Sequence, residues 1–111
     1  MADDLASRRC EPCERGTPPL PAARAAELAA QVPEWQIVED GRALARIFRF
    51  EDFVSAVQFV NRLTPIAEGE GHHPDLEVGW GRVRVRVSTH AAGGLTDNDF
   101  ILAAKIDREL A

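Results

Sequence analysis

Arg82-Val83-Arg84-Val85-Arg86-Val87 alternates a cation with a β-branched apolar residue over six positions without a break. A period of two marks a strand with one face buried and the other wet. Val83, Val85 and Val87 therefore point at a core, and Arg82, Arg84 and Arg86 point away from it. Leu76 to Trp80 is a second strand just upstream, and Gly79 and Gly81 sit at the joint. The two read as a hairpin.

Outward from that hairpin the other elements follow. Glu51 to Ala67 carries Phe53, Val57, Val60 and Leu63 at helical spacing, with a kink or early end expected at Pro65, which cannot donate to the Asn61 carbonyl. Trp35–Val38 and Ala43–Phe50 read as strands around the turn signal Asp40-Gly41. Ala22 to Gln31 is rich in strong helix formers and stops before Pro33. A last helix starts near Thr96, whose hydroxyl can cap the Asp99 amide, and runs through Phe100, Ala103, Ala104, Ile106 and Leu110. The order is α-β-β-α-β-β-α. Strands in hairpin pairs give an α+β fold: one four-stranded antiparallel sheet with helices on one face.

Composition narrows the functional classes. The chain has 111 residues, enough for one domain, expected at residues 20–111 behind a flexible leader at 1–19 that ends in Gly16-Thr17-Pro18-Pro19. Thirteen Lys and Arg stand against 18 Asp and Glu, a net charge of −5 that disfavours phosphate backbones as partners. The arginine row is read on that ground as a solvated or partner-facing strand surface. No segment offers the ~20 apolar residues of a membrane span. Met1 to Arg9 lacks the apolar stretch of a secretory signal, so a cytoplasmic location is expected. The two cysteines form Cys10-Glu11-Pro12-Cys13, a spacing shared by redox pairs and half zinc sites. No helix of a βαβ unit follows, and two further zinc ligands would have to come from another subunit. The pair is read as part of the leader, without an essential role.

All three histidines lie between positions 72 and 90. His72-His73-Pro74 opens the third strand and His90 follows the fourth, so antiparallel pairing brings them together. Pro74 restricts His73 to extended backbone, and Gly69, Gly71, Gly93 and Gly94 allow close approach of a ligand. Three imidazoles suit zinc hydrolysis or proton transfer. Adjacent histidines are awkward chelators, whereas imidazole titrates near ~6.5 and offers both protonation states at neutral pH. Proton transfer is the favoured chemistry, with no metal expected.

Glu68-Gly69-Glu70-Gly71-His72-His73-Pro74, Trp80, Ser88-Thr89-His90, Gly93-Gly94-Leu95-Thr96 and Asp99-Phe100 together resemble the signature of the pterin-4a-carbinolamine dehydratase family. The pattern spans Pro19 to Leu110 with fixed gaps. The resemblance implies a cofactor-free hydro-lyase that dehydrates 4a-hydroxytetrahydrobiopterin to the quinonoid dihydropterin for tetrahydrobiopterin recycling. It implies His72, His73 and His90 as the active-site histidines, with Pro74, Thr89, Ala91 and Ala92 shaping the pterin pocket. Asp99 would orient a histidine, and Glu68 would fix the histidine loop or simply end the helix in solvent. Leu76 departs from the tryptophan of animal members, and Ala91-Ala92 replace bulkier or polar residues. The resemblance further implies a homodimer or homotetramer joined through sheet edges. An alternative role in the same family is that of a non-catalytic dimerisation cofactor of a homeodomain transcription factor, or an assembly chaperone.

Overall fold

The computed structural model describes residues 4–111. Two 3-10 turns, Leu5–Ser7 and His90–Ala92, accompany three helices: α1 (Ala22–Ala29), α2 (Phe53–Glu70) and α3 (Asp97–Leu110). Four strands, β1 (Gln36–Val38), β2 (Ala43–Arg49), β3 (Asp75–Gly79) and β4 (Arg82–Val87), form one antiparallel sheet in the order β1-β2-β4-β3. The chain is thus an α+β fold in the expected order α-β-β-α-β-β-α.

Strand β4 is central, and its alternation does what period two requires. Val83, Val85 and Val87 are buried and join Leu63, Phe100, Leu102 and Ile106 of the helices, and Leu95 of the loop before α3, in one core. Two of the three arginines of the opposite face meet carboxylates on neighbouring segments. Arg84 bonds Glu77 at 3.3 Å, and Arg86 bonds Asp75 at 2.8 Å and Glu39 at 2.7 Å.

Helix α2 differs from its sequence pattern in two respects. It runs past Pro65 to Glu70 rather than ending early. Asn61 and Pro65 both lie on the exposed side, where water can satisfy the carbonyl that proline leaves unbonded. Its buried stripe is Ala56, Phe59, Leu63 and Ala67, while Phe53 is exposed and Val57 and Val60 are half-buried. The helix is apolar on more than one side, so periodicity alone did not decide the inward face. Phe59 settles it by packing on Phe48 and Phe50, with ring centroids 4.6 and 5.2 Å apart.

Of the leader expected at residues 1–19, residues 1–3 lie outside the described residues, and residues 4–19 lie against the body. Leu5 and Ala6 are buried, and the Ala6 carbonyl accepts from Lys105 Nζ at 3.0 Å. Arg8 pairs with Asp97 at 2.9 Å, and the Cys10 N–H donates to Glu70 Oε1 at 2.8 Å. These partners stand 60 to 99 positions away, so local composition carries no trace of them.

Glu70 makes this attachment sensitive to acid. Burial alone would raise its carboxyl, but the Cys10 N–H and the charges of Lys105 and Arg9 outweigh it and hold the group below its ordinary value. A depressed folded-state value contributes stability above the unfolded-state pKa and loses it as pH falls through the folded one. Glu70→Gln is therefore expected to cost about 1–2 kcal/mol at neutral pH. Melting curves of both proteins from neutral pH downward should converge below the ordinary carboxylate range.

Candidate active site

Helix α2 ends in the left-handed Gly71, at φ 63°, with the His72 N–H returned to the Ala67 carbonyl at 3.2 Å. A glycine in that conformation ends the helix at once and turns the chain into His72-His73-Pro74. On the far side of the hairpin β4 runs into Thr89, which bridges Gly94, and His90 opens the 3-10 turn closed by Gly93 at φ 68°. The register Asp75↔Arg86 sets the start of β3 beside the end of β4, so the two histidine segments converge.

They meet at an open cleft of about 290 Å³. Its lining includes His72, His73, His90, Thr89 and Ala91, together with Cys13. Pro74 and Ala92 stand next to lining residues without lining the cleft themselves.

His72 is the most firmly held of the three imidazoles. Its Nε2 lies 2.6 Å from Asp99 Oδ1, and the Asp99 side chain is fully buried. Asp99 Oδ2 accepts from the Thr89 hydroxyl at 2.8 Å and from the Thr96 N–H at 2.9 Å. Thr96 Oγ1 lies 2.8 Å from Thr89 Oγ1 and completes the network. As a carboxylate Asp99 can only accept, which places the Nε2 hydrogen on His72 and leaves Nδ1 for a ligand. Thr96 and Asp99 are also the capping box of α3, so one carboxylate begins a helix and orients an imidazole.

His73 and His90 are exposed. His73 Nε2 bonds the exposed Glu68 carboxylate, joining the histidine loop to the last turn of α2. Thr89 is buried, and its hydroxyl faces Asp99 and Thr96. Among the described residues no three His, Cys, Asp or Glu side chains converge as a metal-binding set.

A family model described as pterin 4 alpha carbinolamine dehydratase matches residues 18–109. The chain belongs to that family. A protein of Aromatoleum aromaticum, provisionally named as a pterin-4-alpha-carbinolamine dehydratase, is 50% identical across 96% of this chain and 96% of its own. A relative from Methylococcus capsulatus under the same provisional name is 46% identical across 99% of this chain and 96% of its own. A Brucella melitensis crystal structure described as a transcriptional coactivator/pterin dehydratase superposes with a TM-score of 0.75 at 31% identity. That similarity covers 81% of this chain and 96% of the Brucella chain.

Against this dehydratase-family background, Gly71 lines the cleft as its flexibility suggested and Ser88 lines it as part of the family pattern, whereas Glu11, Pro12, Cys13 and Asn98 were not expected there. Gly71 and Ser88 adjoin histidine positions and follow from them. Asn98 neighbours Asp99, but its use depends on a leader that only the folded chain brings near. For Cys13 the CxxC spacing was visible, yet nothing local linked it to histidines some 60 to 80 positions on.

Proposed function

We propose that the chain dehydrates 4a-hydroxytetrahydropterins, 4a-hydroxytetrahydrobiopterin among them, at the histidine cleft. The observation that carries this reading is the convergence of three imidazoles on one cavity, with His72 held by the buried Asp99. Family membership supplies the substrate class.

The reaction breaks the C4a–O bond and forms the C4a=N5 double bond. The departing hydroxyl takes a proton and leaves as water, and N5 gives up its proton to a base. Hydroxide is a poor leaving group, so a protonated imidazole belongs against the 4a-oxygen and a neutral one near N5–H. His72 and His90 carry these two transfers in our assignment, and His73 holds the ring by hydrogen bonding. In its neutral form His72 presents Nδ1 as an acceptor, which suits it to receive the N5 proton, while His90 then serves the hydroxyl. Backbone groups near Thr89 read the pyrimidine edge, and Glu68 steadies His73. The quinonoid dihydropterin so formed is substrate for a reductase that restores the tetrahydropterin. A homodimer is part of the same proposal: β3 is an outer strand of the sheet, with Val78 and Trp80 exposed along it.

The test follows the loss of carbinolamine absorbance on addition of the purified chain. The expected result is first-order decay faster than the spontaneous reaction, proportional to enzyme and unchanged by a chelator. Decay at the spontaneous rate would favour the non-catalytic binding role instead, and decay abolished by chelator would favour metal hydrolysis chemistry.

A further inference from the structure

The leader reaches further than a structural anchor needs to. After the Cys10–Glu70 bond, the backbone of Glu11 is gripped at both polar atoms by the side chain of Asn98. The Glu11 N–H donates to Asn98 Oδ1 at 3.0 Å, and Asn98 Nδ2 donates to the Glu11 carbonyl at 2.6 Å. Asn98 Nδ2 also lies 3.4 Å from Cys13 Sγ, and the Gly16 N–H donates to the Ala91 carbonyl at 3.2 Å. Each attachment falls beside a histidine or its partner: Glu70 shortly before His72, Asn98 next to Asp99, Ala91 next to His90. Between them Glu11, Pro12 and Cys13 line the cleft.

The strap precedes the segment that the family model matches, which begins at residue 18. The alignment with the Methylococcus relative, at 99% of this chain, extends across the strap.

We propose that the segment Glu11-Pro12-Cys13 forms a further wall of the substrate cleft, contacting bound pterin, and that Asn98 is the positioning residue that holds it there. The inference rests on the dehydratase reading. The Pro12 ring and the Cys13 thiol offer weakly polar surface, the kind that packs on a planar heterocycle and removes one side of it from water. Losing that cover is worth about tenfold in affinity. The strap carries no group that the elimination requires, so its effect falls mainly on binding.

Cys13 supplies a reporter in the unaltered full-length chain. Burial, then the charges of Glu70 and Asp99, push the Cys10 thiol up to about 12, so it stays protonated and unreactive at neutral pH. Alkylation by N-ethylmaleimide, followed by peptide mass spectrometry, then reads Cys13. Saturating 7,8-dihydrobiopterin, a pterin that cannot undergo the elimination, should slow that alkylation at least fivefold, with binding measured in parallel by calorimetry. Asn98→Ala should raise KM for the carbinolamine about tenfold, with a smaller fall in kcat. Asn98→Asp, which keeps the acceptor for the Glu11 N–H, should recover part of the loss. Dihydrobiopterin binding that leaves Cys13 alkylation unchanged overturns the wall. So does an Asn98→Ala protein with wild-type circular dichroism and an unchanged KM. Wild-type protein that neither binds dihydrobiopterin nor dehydrates the carbinolamine overturns the dehydratase reading itself, which separates the two failures.

Discussion

His72→Ala and His90→Ala should each lower kcat for carbinolamine dehydration by about 10² to 10⁴-fold, the range in which one well-placed acid or base contributes. His73→Ala should instead raise KM and leave most of kcat. The division follows from position. His72 is nearly enclosed and bound to a buried carboxylate, whereas His73 is exposed beside an equally exposed Glu68. A side chain that must exchange a proton at a defined atom needs a fixed ring, and only His72 has one built from inside the protein. His90 lines the same cleft from a separate turn, and the proposed assignment gives it the opposite end of the elimination. Stopped-flow measurement of kcat and KM across pH for the three variants checks the assignment. A His73→Ala protein that loses kcat at constant KM, beside a His90→Ala protein that keeps it, would reverse the roles.

Asp99→Ala should damage stability and turnover together. The side chain is fully buried and accepts from the Thr89 hydroxyl and the Thr96 N–H while bonding His72. Removing it leaves buried donors without partners, a cost of about 2–4 kcal/mol. The helix also loses the carboxylate of its capping box, and His72 loses the group that fixes its tautomer. Asp99→Asn separates these effects. The amide keeps the size and one acceptor for the Thr89 hydroxyl and the Thr96 N–H, so most of the melting temperature should return, yet its NH2 then donates to His72 Nε2 and selects the opposite tautomer. We expect Asp99→Asn to recover stability well ahead of kcat. Thermal melts and steady-state kinetics on the two variants provide the check, and parallel recovery of both quantities would reduce Asp99 to a structural role.

The hairpin was legible because its signals are local. Six alternating residues in β4 orient the sheet face, and glycines mark the turn. The meeting of His72, His73 and His90 was legible for the same reason, since hairpin pairing alone brings their segments together. Helix α2 was read with its inward face partly misplaced, Leu63 correctly inside but Phe53 not, because Phe53, Val57 and Phe59 compete for the core and only Phe48 of β2 and Phe50 just beyond it decide between them. The contacts of the leader were less legible. Leu5 is a lone apolar residue in a polar stretch, and a single residue has no periodicity to detect. Its neighbours are held by backbone hydrogen bonds to Glu70, Asn98 and Lys105, and backbone groups are the same in every sequence.

The same leader has a bearing on when the cleft comes into being during synthesis. Lys105 and Ala6 are 99 positions apart, and Asn98 and Glu11 are 87 apart. Ribosomes release chains from the N-terminus, so Ala6 and Glu11 must wait for the synthesis of Asn98 and Lys105 before they can dock. A nascent chain ending at residue 90 already carries every imidazole, but has neither Asp99 to steady His72 nor Asn98 to seat the leader. The three histidines exist as a sequence well before they exist as a site, and the final helix assembles it.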